Sequence, residues 1–439
     1  MPTSKCKNIG FIGFGRSNIG VLEYLDTLGD FSYTLRSDKE TAFDKRIGRC
    51  FFGADALFSV DEDVLFISPA VRRDRAELVR AREMGVILSS DAELFFEKES
   101  ADVFATTGSS GKSTTTKLIS LMLTASGINA PPAGNFGKSL CSLIGKYPAV
   151  AAELSSFQLM YMKPRTKRAV ITNVTPNHLD WHKSIDEYVG AKLNIAENTD
   201  ALIFDHDSEL LSKSINRSVF CLVSSRHSFS ELRSLGDAEN YMTFKDGIIY
   251  LNGSPYIDTA LAVRREGYNI KNFMLASAAV LGVCDSDGCK RVISTFRGLP
   301  HRAETVLEKN GVRFINSSID TSPERTVETL LSQSGRTAVI LCGKNKGLSL
   351  QSLADALPTL TVGAVLMGEI GDELSTLLAE KDYTTAFAKS FDEAIAYALD
   401  ILGGEGNVIL SPAGTSFDRF DNFERRGESF CEAAKRYDK

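Results

Sequence analysis

Residues 102–124 read DVFATTGSSGKSTTTKLISLMLT. An apolar run from Asp102 to Thr106 meets a Gly-x-x-Gly-Lys-Ser turn, and a helix-like segment follows from Ser113 to Thr124. A strand, a glycine turn and a helix N-terminus together form a phosphate cradle. Gly108 and Gly111 let the backbone come close and point N–H groups inward. The helix N-terminus adds partial positive charge. Lys112 reaches the terminal phosphates in such a loop, and Ser113 offers a hydroxyl to Mg²⁺. Thr106 stands where the full phosphate-loop pattern has its first glycine, so the match is partial. The expectation is a nucleoside triphosphatase that holds nucleotide with Gly108, Ser109, Ser110, Gly111, Lys112, Ser113 and Thr114.

On the N-terminal side, short apolar strands alternate with helical stretches. Asn8–Gly13 reads as a strand that runs into a glycine turn spanning Gly13, Gly15 and Gly20. Val64–Ser68 and Val86–Ser89 are further strands, with helical periodicity over Asp74–Gly85 between them. Counted from Gly13 and Gly15, a dinucleotide fingerprint needs its third glycine where Asn18 sits, and no acidic residue closes the second strand near Arg36. The turn therefore reads as a phosphate- or nucleotide-binding turn rather than a nicotinamide site. Downstream, Gly311–Asn316, Thr337–Leu341, Val362–Leu366 and Asn407–Leu410 read as buried strands with helices between. The whole is an α/β protein of three domains. A Rossmann-like N-terminal domain spans 1–95. A central ATPase-like domain with a parallel sheet and the phosphate loop spans 96–297, and a C-terminal Rossmann-like domain spans 298–439. Hinges are expected near 96 and 297.

The bulk numbers exclude several classes. At 439 residues the chain is too long for one hydrophobic core. A net charge of −6 argues against a nonspecific nucleic-acid binder. Arg72, Arg73, Arg75, Arg80 and Arg82 form a basic cluster, read as a solvated helix face. No run of apolar residues is long enough for a membrane span, and the N-terminus lacks an apolar leader. The eight cysteines include no C-x-x-C pair, and the Cys284/Cys289 spacing fits neither a zinc site nor a redox motif. Reduced thiols in a cytoplasmic protein are expected.

The residues after the loop add chemistry. Glu153 ends an apolar run, as a Mg²⁺-binding carboxylate would. His178 and His182, two of only five histidines, follow the apolar strand that starts at Ala169. In order along the chain stand TGSSGKS (107–113), ELSSFQL (153–159), NVTPNHLD (173–180), YVGAKLNI (188–195), YNIKN (268–272), GLPHRAE (298–304), CGKNKG (342–347) and SPAGTSFDRFDNFERRG (411–427). This ordered set resembles the Mur ligase family. SPA at 68–70, ELSSFQL and the last segment are most similar to its D-glutamate-adding members.

The resemblance implies an ATP-dependent amide ligase that acts through an acyl phosphate in peptidoglycan precursor synthesis, and so a role in cell-wall growth, cell shape and division. It implies that Lys112 holds the β- and γ-phosphates, that Ser113 and Glu153 bind one Mg²⁺, and that His178 contacts a second. Lys192 matches the family lysine that becomes a carbamate. Asn269 and Arg302 match contacts to the adenine and the nucleotide phosphates. Gly15, Arg16, Ser17, Ser68 and Asn135 fall on the UDP-N-acetylmuramoyl-L-alanine side. Thr321, Lys346, Ser416 and Phe423 match positions that hold the incoming D-glutamate. A monomer is expected.

Several positions depart from the family pattern. Ser317–Ser322 replaces a DSKATN motif, so that Ser317 stands for its aspartate, Ile319 for its lysine and Ser322 for its asparagine. Arg325 and Lys344 are candidates to replace the lost cation. Cys342, Asn345 and Ala70 are further departures. Two alternatives stay open: a related Mur-type or folylpolyglutamate-synthase-like ligase for another amino acid, and a non-catalytic nucleotide-binding module.

Overall fold

The computed structural model describes residues 7–57, 59–178, 181–263, 267–345 and 347–437. They form two compact units, Met1–Phe296 and Arg297–Lys439. Three large sheets with flanking helices confirm the α/β class.

The first sheet is parallel, in the order Arg49–Phe52, Ser32–Ser37, Asn8–Ile12, Val64–Ile67 and Ile87–Ser89. Its central strands, NIGFI and VLFI, are almost wholly buried because helices cover both faces of a parallel sheet. The helix expected over 74–85 forms over Ala76–Glu83. The five arginines do not form one solvated face, which corrects the sequence expectation. Arg80 and Arg82 lie on the helix, where Arg82 is exposed and Arg80 is exposed too. Arg72 and Arg73 precede it and turn inward, with side chains only 17% and 13% exposed.

The second sheet shares the first compact unit. Strands Leu202–Asp205, Arg168–Ile171, Asp102–Thr107 and Ala149–Glu153 lie side by side and parallel at its centre. The last three end together at Ile171, Thr107 and Glu153, the edge where α/β sheets carry their chemistry. Beyond Val219–Ser224, Ala238–Lys245 adds a further parallel strand, and Ile248–Leu251 and Ser254–Asp258 follow it as two antiparallel hairpins. Their short alternating runs give a weak sequence signal.

In the second unit, strands Val312–Asn316, Gly406–Ala413, Thr337–Cys342, Gly363–Leu366 and Thr385–Phe387 are parallel, with Glu304–Lys309 antiparallel at one edge. The strand TAVILC is buried along its whole length, with apolar layers on both sides. Among the described residues no helix is long and apolar enough to cross a membrane.

Candidate active site

The glycine turn is shaped by what packs behind it. Gly108 has φ +148°, and a Cβ there would stand 1.9 Å from Thr172 Oγ1. Gly111 caps the helix Lys112–Ala125 in the left-handed region, φ +79°, where a Cβ would meet Asn272 Oδ1 at 2.5 Å. Both glycines are therefore required by conformation and by space. Asn173 organises the turn from the neighbouring strand end. Its Oδ1 accepts from the amides of Ser109 and Ser110 at 3.2 and 2.9 Å, and its Nδ2 donates to Ser110 Oγ at 2.8 Å. Ser109 Oγ lies 2.7 Å from the Tyr188 hydroxyl. Asn173, Tyr188 and Asn272 lie within the family motifs, yet sequence reasoning misses their part in the site. No spacing rule marks them, since their role comes from packing against the turn.

Two lysines converge on one carbonyl. Lys112 Nζ donates to the Gly108 and Ser109 carbonyls at 3.0 Å each, and Lys192 Nζ donates to the Gly108 carbonyl at 2.7 Å. Lys192 belongs to the helix Ile185–Leu193 and is only 2% exposed, with its amine 4.5 Å from the centre of the Tyr188 ring. Burial, reinforced by the Lys112 charge and opposed by Glu153, holds its amine well below the usual lysine range. Nothing in the local sequence marks this lysine as buried; in isolation it reads as a surface helix residue.

Glu153 ends its strand 1% exposed. Its Oε1 accepts from Asn135 Nδ2 at 2.8 Å, while its Oε2 is buried with no hydrogen-bond partner. Thr106 Oγ1 and Thr107 Oγ1, at the end of the adjacent strand, are buried and unpartnered too. An orphaned carboxylate oxygen with hydroxyls nearby in the sheet is oxygen chemistry that suits Mg²⁺. No group of three His, Cys, Asp or Glu side chains able to hold a metal occurs among the described residues. Mg²⁺ is usually held by one or two carboxylates plus substrate phosphates rather than by an all-protein cage, so the donor set fits. His178 adopts φ +54° and packs its ring edge-on to Phe157 at 5.1 Å. His182 is buried, bonded through Nε2 to Ser156 Oγ at 2.9 Å, and burial lowers its affinity for a proton. Ser113 is buried in the first turn of its helix, beside Thr114, and Asn269 is buried on the helix Gly267–Ala279.

The N-terminal turn lies against this site. Gly15 caps the helix Arg16–Asp26. Arg16 donates to the carbonyls of Gly137 and Asn135 at 3.0 and 2.9 Å, which ties the turn to the loop that carries Asn135. Ser17 follows in the first turn of that helix and is partly buried. Ser68 faces Gly13, where a Cβ would stand 3.2 Å from its own. Asn18, in place of the third glycine, donates to the Gly13 and Phe66 carbonyls at 2.7 and 3.2 Å. Its side chain thus closes the turn from inside. Arg36 is consumed internally: it is 1% exposed, pairs with Glu62 at 2.9 Å and donates to the Ala56 and Ser59 carbonyls.

In the second unit, Ser317–Ser322 follows the strand Val312–Asn316. Arg426 is buried beneath it and donates to Ser318 Oγ and the Ser318 carbonyl at 3.0 and 2.9 Å, and to the Gly414 carbonyl at 2.9 Å. Arg325 reaches the Ile319 carbonyl at 3.4 Å, while Lys344 pairs through its backbone with Thr415. Asp320 is buried and accepts from Ser411 Oγ at 2.8 Å. Asn345, in place of the family aspartate, donates to Glu373 at 2.8 Å and to the Leu348 carbonyl at 3.0 Å. Ser416 is buried, and Phe423 packs edge-on to His301 at 6.1 Å. Arg302 lies in the turn before the strand Glu304–Lys309, and Thr321 in the loop before the helix Pro323–Leu331. Lys346 lies outside the described residues.

Residues 106–280 match the family model described as the Mur ligase middle domain. The chain is 35% identical to a UDP-N-acetylmuramoylalanine--D-glutamate ligase of Ruminiclostridium cellulolyticum, covering 98% of this chain and 96% of that one. It is also 35% identical to the enzyme of the same name from Acetivibrio thermocellus, with the same coverage. Among solved structures, it resembles the UDP-N-acetylmuramate-alanine ligase MurC of Thermotoga maritima with a TM-score of 0.62 at 19% identity, over 98% of this chain and 99% of that one. The MurF ligase of Thermotoga maritima in complex with ADP gives 0.56 at 17%, over 99% and 97%. At these identities the likeness is one of fold.

Proposed function

This chain belongs to the Mur ligase family, and we propose that it joins D-glutamate to UDP-N-acetylmuramoyl-L-alanine at the expense of ATP, in peptidoglycan precursor synthesis. The observation that carries the site reading is the meeting of Lys112 and Lys192 on the Gly108 carbonyl beside a buried Glu153.

The reaction begins when the substrate carboxylate attacks the γ-phosphorus of ATP and ADP leaves. The amino group of D-glutamate then attacks the acyl phosphate, loses a proton, and inorganic phosphate departs. Both steps move negative charge over phosphoryl oxygens, which fixed cations and amides stabilise. Lys112 supplies such a cation, with the amides of the 108–113 turn and the dipole of the helix Lys112–Ala125 beside it. Ser113, Glu153 and His178 would hold Mg²⁺, which neutralises charge on the phosphates when bound. Asn269 and Arg302 would hold the nucleotide. Gly15, Arg16, Ser17, Ser68 and Asn135 would hold the uridine substrate. Thr321, Lys346, Ser416 and Phe423 would receive D-glutamate.

Lys192 is suited to carbamylation. Burial favours the uncharged form of its amine, the form that attacks CO₂; an N–C bond would form, one proton would leave, and a cation position would become an anion. That charge reversal would turn repulsion toward Lys112 into attraction and would offer Mg²⁺ an anionic oxygen when the metal is bound.

The test is phosphate release from ATP with Mg²⁺ and UDP-N-acetylmuramoyl-L-alanine, across D-glutamate, L-glutamate, L-lysine, D-alanine and meso-diaminopimelate. Turnover with D-glutamate alone is expected. Turnover with another amino acid keeps the ligase and replaces its acceptor, and none with any of the five overturns the reading.

A further inference from the structure

The two inward-turned arginines are left unused by this scheme, and Arg72 is the better connected. Its Nε and Nη2 grip Asp74 at 3.0 and 2.9 Å. Its Nη1 donates to the Trp181 carbonyl at 2.8 Å and to Glu187 at 2.9 Å, and Nη2 reaches the second Glu187 oxygen at 3.1 Å. The guanidinium also stands 4.9 Å from the centre of the Trp181 ring. These contacts join the segment after Ser68 in the first sheet to two pieces of the second. Glu187 lies in the helix that carries Lys192. Trp181 lies three residues after His178, and its amide donates to the His178 carbonyl at 3.1 Å.

Trp181 extends the contact in two directions. Its indole N–H donates to the Ala70 carbonyl at 2.9 Å, two residues from Ser68. Its ring stacks on Phe157 at 4.2 Å, and Phe157 also supports the His178 ring and lies four residues after Glu153. Glu187 in turn accepts from the Lys183 amide at 2.8 Å and lies 3.5 Å from His182 Nδ1. The hydrogen bonds from Arg72 hold the Glu187 carboxyl down at about 2, so the pair stays charged through the neutral range. A single guanidinium thus touches, directly or through one ring, the segments that bear Glu153, His178 and Lys192. A planar fork with five donors makes such a multiple grip; an ammonium does not.

We propose that Arg72 is a positioning residue for phosphoryl transfer, clamping the Trp181 loop and the Glu187 helix so that His178 and Lys192 are aligned from the side of the first sheet. This rests on the site reading above, not on the identity of the amino acid. Arg72 touches no reacting atom. Its effect is geometric, and small misplacements of a reacting group are costly in rate.

Trp181 is the only tryptophan in the chain, so its emission reports on the clamp without any turnover. Parent, Arg72→Ala, Arg72→Lys and Trp181→Phe are compared as full-length proteins. Arg72→Ala is expected to red-shift Trp181 emission as the stack opens to water. It should also lower kcat for phosphate release by roughly 10–100-fold, with the KM for the amino acid unchanged and partial recovery in Arg72→Lys. Titration with ADP and Mg²⁺, followed by the same emission, should give affinity about tenfold weaker in Arg72→Ala. A folded Arg72→Ala protein with parental emission, kcat and Mg²⁺–ADP affinity overturns the proposal. If that variant does not fold, Trp181→Phe decides. It keeps an aromatic ring on Phe157 but loses the bond to Ala70, and parental kcat in it overturns the clamp. Absence of turnover in the parent refutes the ligase reading alone, because the emission and Mg²⁺–ADP titrations still decide the role of Arg72.

Discussion

Lys192 Nζ donates to the Gly108 carbonyl at 2.7 Å across 84 residues of sequence, so the phosphate turn and the helix Ile185–Leu193 share one polar contact. Lys112 donates to the same carbonyl. Two ammonium groups so placed repel one another, and burial, reinforced by the Lys112 charge, pushes the proton affinity of the inner one, Lys192, well below the usual lysine range. The consequences reach both chemistry and stability.

The first concerns the carbamate. Protein equilibrated with ¹³C-bicarbonate should show a bound carbamate carbon by NMR, and Lys192→Met should lack it while losing at least ~100-fold in turnover. The free amine also has a pH signature. Its folded-state affinity for protons is depressed, so the unfolded chain binds more protons between that value and the ordinary lysine value of about 10.4. Stability therefore rises with pH through this window. In CO₂-free buffer, the urea midpoint of the parent should climb relative to Lys192→Met as pH rises. Parallel curves would show that Lys192 is not held neutral.

Glu153→Gln keeps the bond from Asn135 and removes the charge. Turnover should fall roughly 10²–10³-fold, as for loss of one group that stabilises transition-state charge. The thermal midpoint should stay level or rise, because the orphaned Oε2 is a desolvated charge with no partner. A large fall in the midpoint would mark Glu153 as structural and withdraw it from the metal site.

Glycine substitutions separate the turn from its surroundings. Gly108→Ala places a Cβ 1.9 Å from Thr172 Oγ1 at φ +148°, and should cost about 1–3 kcal/mol for the backbone alone and abolish nucleotide binding. Gly190, on the helix that carries Lys192, has open space where a Cβ would stand, with nothing within 4 Å. Gly190→Ala should stabilise by about 0.5–1 kcal/mol with turnover intact. Calorimetry and ATP binding on the two variants check both signs.

Asp320 tests the altered 317–322 segment. Burial raises its proton affinity, against hydrogen bonds from Ser317, Thr329 and Ser411. Between the ordinary aspartate value of about 3.9 and the raised one, the folded protein holds a proton that the unfolded chain has released. Stability from this group is thus present at low pH and lost as pH rises through the window. Asp320→Asn should flatten that dependence and leave the segment in place. An unchanged slope would show that Asp320 is ionised in the fold.

Much of the fold is legible in the chain. The strands around Asn8, Val64, Asp102, Thr337 and Asn407 are visible because buried parallel strands are continuous apolar runs, and the glycine turns mark their ends. The hairpins from Ala238 to Asp258 are not, since half-exposed edge strands alternate weakly. The basic cluster misleads for a related reason. Charge in a sequence suggests solvent, and only partners distant in sequence, Glu187 for Arg72 and Glu93 for Arg73, show which guanidinium groups turn inward.

The order of motifs by itself determined the family, the phosphate turn and the residue types of the site, because phosphate binding needs glycine, lysine and a helix start in immediate succession. What only the tertiary structure decided is their state. Burial depressed the proton affinity of the Lys192 amine, left one oxygen of Glu153 unpartnered, set Asn173 against the turn and drew Arg72 into contact with the segments of His178 and Lys192. Those outcomes depend on desolvation and on neighbours up to about a hundred residues away, which no local pattern encodes.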